Sequence, residues 1–115
     1  MNIESAEVGG VVVAKLKGRV DQTNAAQFST ALNPLVAQCV KDAAPLVLDA
    51  TGLEYISSVG LRALMMVARQ VKSQQGKIAV ACLNPVVEEV FTITRFNLVM
   101  PCHANIDAAS KALLS

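Results

Sequence analysis

The chain has no tryptophan, one tyrosine and three phenylalanines, so aromatic residues fill only 3% of its 115 positions. Proteins that hold nucleic acid strands commonly stack bases on such rings and gather cations around them. Ten basic side chains here balance nine acidic ones, for a formal charge of +1. Both parts of that footprint are missing, and no nucleic-acid partner is expected. There is one histidine, His103, and three cysteines, Cys39, Cys82 and Cys102, far apart in sequence. An odd, widely spaced set fits neither a disulfide framework nor a zinc knuckle, so buried free thiols in a reducing compartment are expected. Long hydrophobic runs are lacking too. The richest stretch, Leu64 to Ala68, is flanked by Arg62 and Arg69 and falls short of the roughly 18 residues a membrane span needs. Met1 to Ser5 carry neither the basic start nor the apolar run of a secretion signal. The expectation is a soluble cytoplasmic protein with no direct membrane insertion.

What is present is apolar material enough for one core. Hydrophobic residues make up 53% and charged residues 17%, too apolar a mixture for a disordered tail. The length fits one domain over residues 1–115. No internal repeat, linker or low-complexity segment interrupts it.

Periodicity orders the chain. From Gly10 to Val20, Val12, Ala14, Leu16 and Val20 alternate with Val13, Lys15, Lys17 and Arg19, the period of a strand with one wet face. Gly9-Gly10 before it signals a turn. Asn24 and Gln27 resemble a capping box, followed by a helical stripe of Phe28, Leu32, Leu35, Val36 and Cys39. Pro34 within that stripe predicts a kink or two short pieces. Pro45 to Ala50 reads as a buried strand. Thr51-Gly52 then turns the chain into a loop through Leu53 to Ile56. A second helix follows Ser57-Ser58 to about Gln74, where Gly76 stops it. Lys77 to Leu83 is a further buried strand. Asn84-Pro85 starts a helix with Val86, Val90 and Ile93 as its apolar stripe. Leu98 to Met100 make a last strand stopped by Pro101, and Asn105 caps a C-terminal helix through Ile106, Ala109 and Leu113. Strands alternating with helices predict an α/β sheet domain.

Catalytic motifs are absent. A serine-hydrolase triad would need His103 beside Ser57 or Ser58, yet Ile56-Ser57-Ser58-Val59-Gly60 is not a Gly-x-Ser-x-Gly elbow. His103 is expected in a solvated surface turn. No phosphate-binding glycine loop follows a strand, and no cluster of ligands has the spacing of a metal site. An enzyme is not expected, nor a cofactor.

The informative segment is Ser57-Ser58-Val59-Gly60-Leu61-Arg62. A serine at a helix start can cap a free amide, which is worth about 1 kcal/mol. A hydroxyl held there is also a good phosphorylation site, because the dianion would meet free amides and the positive end of the helix dipole. Gly60 weakens the helix by roughly 1 kcal/mol relative to alanine but would let a partner or a phosphate approach the backbone closely. Further along, Leu61, Leu64, Met65 and Ala68 share one side, while Arg62, Met66, Arg69 and Ser73 form the opposite ridge. An adaptable methionine between two arginines suits a protein interface.

Taken in order, these segments resemble the STAS domain, in particular the small stand-alone bacterial anti-sigma-factor antagonists. The resemblance rests on Gly18-Arg19-Val20-Asp21 with Thr23 to Ala26, on Leu46 to Asp49, on Tyr55 to Leu64, on Asn84 to Phe91 and on Asp107-Ala108-Ala109. It implies a mixed β-sheet with about four helices packed on it. In the family a hydroxyl of the hallmark Asp-Ser-Ser/Thr/Ala-Gly-Leu is phosphorylated by the cognate anti-sigma factor, an ATP-dependent serine kinase. Aligned on Gly60-Leu61, Ser58 is the implied acceptor and Ser57 the backup. Ser57 stands where the family usually has Asp, and Val59 where some members carry the modified hydroxyl.

The implied mechanism is partner exchange. Unmodified, the domain would bind an anti-sigma factor through Asp21, Thr23, Ser57, Ser58, Val59, Gly60, Arg62, Met66 and Arg69, freeing a sigma factor. Phosphate on Ser58 would lower that affinity and a cognate phosphatase would restore it. ATP belongs to the partner, and the chain itself would be a monomer or weak dimer. The rival within the family is a non-switching adaptor or scaffold subunit, for example of a transporter or signalling complex, which the loss of Asp at position 57 favours. A hydrolase using Ser58 and His103 is the rival outside it.

Overall fold

Gly9 and Gly10 both adopt positive φ, 58° and 89°, the two-residue loop whose twist suits a hairpin. They join β1 (Glu4–Val8) to β2 (Val11–Val20) in antiparallel register, with Val8 opposite Val11. The computed structural model describes residues 3–115. Met1 and Asn2, part of the segment read for a secretion signal, lie outside the described residues. Nothing in the periodicity announced β1, because all five of its side chains are exposed on the sheet edge.

The sheet order is β1-β2-β3-β4-β5. The last four strands, β2 with β3 (Leu46–Ile56), β4 (Ile78–Ala81) and β5 (Cys102–His103), run parallel. Four helices join or follow them: α1 (Ala25–Gln38), α2 (Ser58–Ser73), α3 (Pro85–Ile93) and α4 (Ile106–Leu114). The expected mixed sheet with four helices is thus observed. One face carries the larger core, where Leu16, Leu48, Ala50 and Ile56 meet Phe28, Leu32 and Val36 of α1, Leu64 of α2 and Phe91 of α3. The other face is covered only in part. There Ala109 and Leu113 of α4 pack on Val11, Val13, Val47, Ala79 and Ala81.

Several expectations are corrected. Thr51-Gly52 is no turn: β3 runs unbroken through it to Ile56, including the segment read as a loop. Lys15 pairs with Asp49 but Lys17 with Gly52, and Gly18 pairs with Leu53 but Arg19 with Tyr55. Each step takes one extra residue from β3, so the glycine marks a bulge. A Cβ on Gly52 would lie 3.1 Å from the Leu16 carbonyl oxygen, which explains the residue type. Asp49 is accordingly a buried mid-strand residue. Its Oδ1 accepts from the Thr51 amide at 3.0 Å and the Thr51 hydroxyl at 2.6 Å.

Pro34 neither kinks α1 apart nor divides it; one helix spans Ala25–Gln38. An interior proline costs about 3 kcal/mol, and the buried Phe28, Leu32 and Val36 each return about 1.5–3 kcal/mol, so packing prevails. In α3 the buried residues are Val87 and Phe91, while Val86 (56% exposed) and Ile93 (72%) face outward. With valines at 86, 87 and 90, periodicity alone could not set the phase. The Asn84 cap does so: its Oδ1 accepts from the Val87 amide at 2.8 Å and its Nδ2 donates to the Leu53 carbonyl at 2.9 Å. The strand expected at Leu98 to Met100 is a 3-10 turn, Phe96–Leu98, entered through Arg95 at φ 59°. Pro101 precedes β5 instead of ending a strand, and its carbonyl accepts from the Val80 amide.

Candidate docking surface at the start of helix α2

Val20 and Ile56 are paired at the carboxyl ends of β2 and β3, and the Ser57 amide donates to the Val20 carbonyl at 2.8 Å. Parallel pairing therefore brings two chain exits side by side: Asp21 to Asn24, which enters α1, and Ser57-Ser58, which enters α2. Thr23 is exposed and Asp21 half-buried. Asp21 Oδ1 accepts from both the hydroxyl and the amide of Thr23. These two bonds, the hydroxyl foremost, with the nearby Arg19 charge, hold the Asp21 carboxyl below its ordinary pKa. The capping box read at Asn24 does not form. The Asn24 amide group instead bridges the loop, accepting from the Asp21 amide and donating to the Arg19 carbonyl at 2.7 Å.

Ser57 is the N-cap of α2, with its Oγ accepting from the Gly60 amide at 3.3 Å. It supplies the oxygen that an aspartate would otherwise give. Ser58 begins the helix proper, is exposed, and has no hydrogen-bonded side chain among the described residues. Beside it Val59 is 39% exposed. The first turn of α2 contains no acidic residue.

Gly60 is a correction. The expectation gave it an outward role, admitting a visitor to the backbone, but it is buried and its bare Cα faces the core. A Cβ there would stand 2.6 Å from Ile56 Cγ1 and 2.9 Å from Val20 Cγ1. Glycine lets the helix start sit down on the ends of β2 and β3, and so sets the height at which Ser58 is presented.

Arg62, Met66 and Arg69 do lie on the exposed side of α2, with Met66 65% exposed. The ridge runs away from Ser58, since eleven residues at about 1.5 Å each put Arg69 about 16 Å along the axis. Two features near Ser58 escaped the sequence reading. The Arg19 guanidinium lies over the Tyr55 ring, 4.7 Å from its centroid, on the neighbouring strand ends. The start of α3, with Val86 exposed, is tied to the same end of the sheet through Asn84. The Asn-Pro pair signalled that helix, but only the parallel topology shows where it arrives.

Nucleophilic chemistry is not assembled here. His103 is not in a solvated turn: it stands on β5, half-buried, with Nε2 buried and without a hydrogen-bond partner. Two strand spacings, about 10 Å, separate β5 from β3, and no hydrogen bond joins His103 to Ser58 among the described residues. Only Cys39 of the three thiols is fully buried. Burial pushes the Cys39 thiol up, and burial followed by the Glu88 charge pushes Cys102 up to about 11. No group of His, Cys, Asp or Glu suited to a metal ion occurs among the described residues, and none of the described helices is long and apolar enough to cross a membrane.

The family model of the STAS domain matches residues 2–109. The chain belongs to the STAS domain family. BtrV of Bordetella bronchiseptica, a candidate anti-sigma factor antagonist, is 37% identical over 112 residues, which span 97% of this chain and 94% of BtrV. An anti-sigma factor antagonist from Mycobacterium paratuberculosis has the same fold at 22% identity, with a TM-score of 0.86 over 99% of this chain and 94% of that one. The phosphorylated form of the Bacillus cell-fate determinant SpoIIAA superposes with a TM-score of 0.65 at 16% identity, covering 96% of this chain and 98% of that one. These STAS relatives are similar across nearly their whole length.

Proposed function

We propose that this STAS domain is an anti-sigma factor antagonist, docking through the start of α2 and switched by phosphorylation of Ser58. The observation that carries the proposal is the contrast between two adjacent hydroxyls: Ser57 is engaged in capping, while Ser58 is exposed and unengaged at the same helix tip. The candidate role of BtrV supports the class of partner. In the unmodified state, Asp21, Thr23, Ser57, Ser58, Val59 and the Arg62/Met66 stretch of α2 present the contact surface to the anti-sigma factor. Gly60 acts from beneath by setting its shape.

Phosphate on Ser58 adds roughly −1.5 to −2 charges at neutral pH. The helix tolerates it, because the dianion sits at the positive end of the dipole near amides lacking intrahelical partners. The docked partner does not, because a hydrated dianion must then be stripped of water or excluded. The anti-sigma factor would be the kinase, holding ATP, and a phosphatase would reset the switch.

Intact-mass measurement of the protein purified from its own cells, with whatever co-purifies, tests the proposal. A phosphate on Ser58 and a bound kinase-like protein are the expected result. Unmodified Ser58 under all growth conditions, with a partner still bound, would instead establish the constitutive adaptor. The replacement of aspartate by Ser57 is the observation that favours that second reading.

A further inference from the structure

The opposite end of α2 carries a second surface. Ser58 stands at the carboxyl ends of the parallel strands, whereas Lys77 leads into the amino end of β4 and Pro101 into that of β5. Between the later turns of α2 and the 3-10 turn lies a groove of about 830 Å³. Met65, Ala68, Leu98, Val99 and Pro101 give it apolar walls. Leu98 is 78% exposed and Val99 42%, although both sit in an ordered turn packed through Phe96 and Met100.

The charges along this groove have one sign. Arg69, Lys72 and Lys77 line it and no acidic residue does. In a chain with ten basic and nine acidic residues, that segregation is local and strong. None of the three cations is in an ion pair among the described residues; Lys77 Nζ donates to the Leu113 carbonyl at 3.3 Å.

We propose that this groove docks an acidic amphipathic helix from a protein partner. Apolar side chains at i, i+3 and i+7 would enter between Leu98 and Met65, and carboxylates beside them would meet Arg69 and Lys72. The groove is concave, and protruding side chains of a partner can enter it beside the exposed Leu98 and Val99. No aromatic ring lines the groove, so a stacked nucleic acid finds no platform. Because α2 has 16 residues, about 24 Å of helix separates the two ends. The groove begins at Met65, next to Met66 of the first surface, so the two surfaces adjoin along the middle of α2, and Lys72, Leu98 and Val99 are the residues that belong to the groove alone. This inference stands whether or not Ser58 is phosphorylated.

The test uses the full chain and two synthetic helices with identical leucine faces, one carrying glutamates elsewhere and the other lysines. The glutamate helix should bind and shift the amide resonances of Lys72, Leu98 and Val99, while the lysine helix should not. Leu98→Asp and Lys72→Glu should each weaken binding tenfold or more with an unchanged melting temperature. Equal binding of both helices, no binding, indifference to both substitutions, or shifts confined to Ser58 to Gly60 would overturn the proposal. So would self-association in sedimentation, or binding to phosphatidylglycerol vesicles, that Leu98→Asp abolishes; these outcomes would assign the groove to a second copy or to a membrane.

Discussion

Ser57 and Ser58 are consecutive serines with divided duties: the Ser57 hydroxyl accepts from the Gly60 amide at 3.3 Å, and Ser58 next to it is exposed with no such tie. The two can be separated by mutation, because one hydroxyl stabilises the fold and the other is free for modification.

Ser57→Ala removes the cap of α2 and should cost about 1 kcal/mol of stability, read from the urea midpoint. Ser57→Asp should keep most of it, since a carboxylate caps the same amide. Equal stability of all three proteins would show that the cap contributes nothing.

Ser58→Ala should leave the urea midpoint unchanged and abolish phosphate incorporation by the co-purifying kinase. Ser58→Asp should weaken partner binding by about tenfold, or 1.4 kcal/mol, in calorimetry. Phosphate appearing on Ser57 in the alanine variant would move the acceptor by one residue.

Gly60→Ala pits two effects against each other. Alanine gains about 1 kcal/mol over glycine within a helix, but its methyl would lie 2.6 Å from Ile56 Cγ1 and 2.9 Å from Val20 Cγ1. Both neighbours are stiff at χ1, so strain of about 1–3 kcal/mol should prevail. The variant should unfold at lower urea and bind its partner less well. A more stable variant would refute the inward role of this glycine.

Met66→Glu changes an exposed side chain on the ridge. Partner affinity should fall while the melting temperature holds. Unchanged affinity would confine docking to the strand ends and the first turn.

Asp21 should titrate below its ordinary value of 3.8, foremost because of the Thr23 hydroxyl. A carboxyl lowered on folding stabilises the native state above its unfolded pKa and loses that contribution as pH falls through the folded one. Thr23→Val should raise the Asp21 pKa in an NMR titration and reduce the acid sensitivity of the loop. An unperturbed Asp21 in the parent protein would contradict the observed hydrogen bonds.

Much of the fold was legible because local rules and tertiary packing agree. The outer residues of α2 and the caps at Asn84 and Asn105 could be read from side-chain chemistry alone. The stop of α2 is a correction: Gln75, at φ 62°, takes the left-handed position expected of Gly76, where a Cβ would collide with the Cys39 carbonyl oxygen. Where the reading failed, two signals shared one residue type. Glycine serves turns and bulges alike, so Gly52 read as a turn. Proline disfavours helices, but the price of Pro34 is smaller than the burial on either side of it. Val86 and Val87 offered α3 two phases, and only the distant Leu53 carbonyl, held by Asn84, selects one. At the candidate site, the hydroxyls and the ridge are visible in the sequence. The nearness of Asp21 to Ser57 follows from parallel pairing of Val20 with Ile56, which no local pattern encodes.

The two bulges in β3 have a consequence for how this domain tolerates length changes. Between Leu46 and Ile56 the strand advances ten positions while its partner advances eight, from Val12 to Val20. Each irregularity resets which of the odd and even positions point inward. Loss of one residue at Thr51 or Gly52 would therefore only iron out the first bulge, leaving Ala50 and Leu53 in plain alternation on the core face and Ile56 opposite Val20. The same loss in the regular stretch from Leu46 to Asp49 would set alternate side chains on the wrong faces.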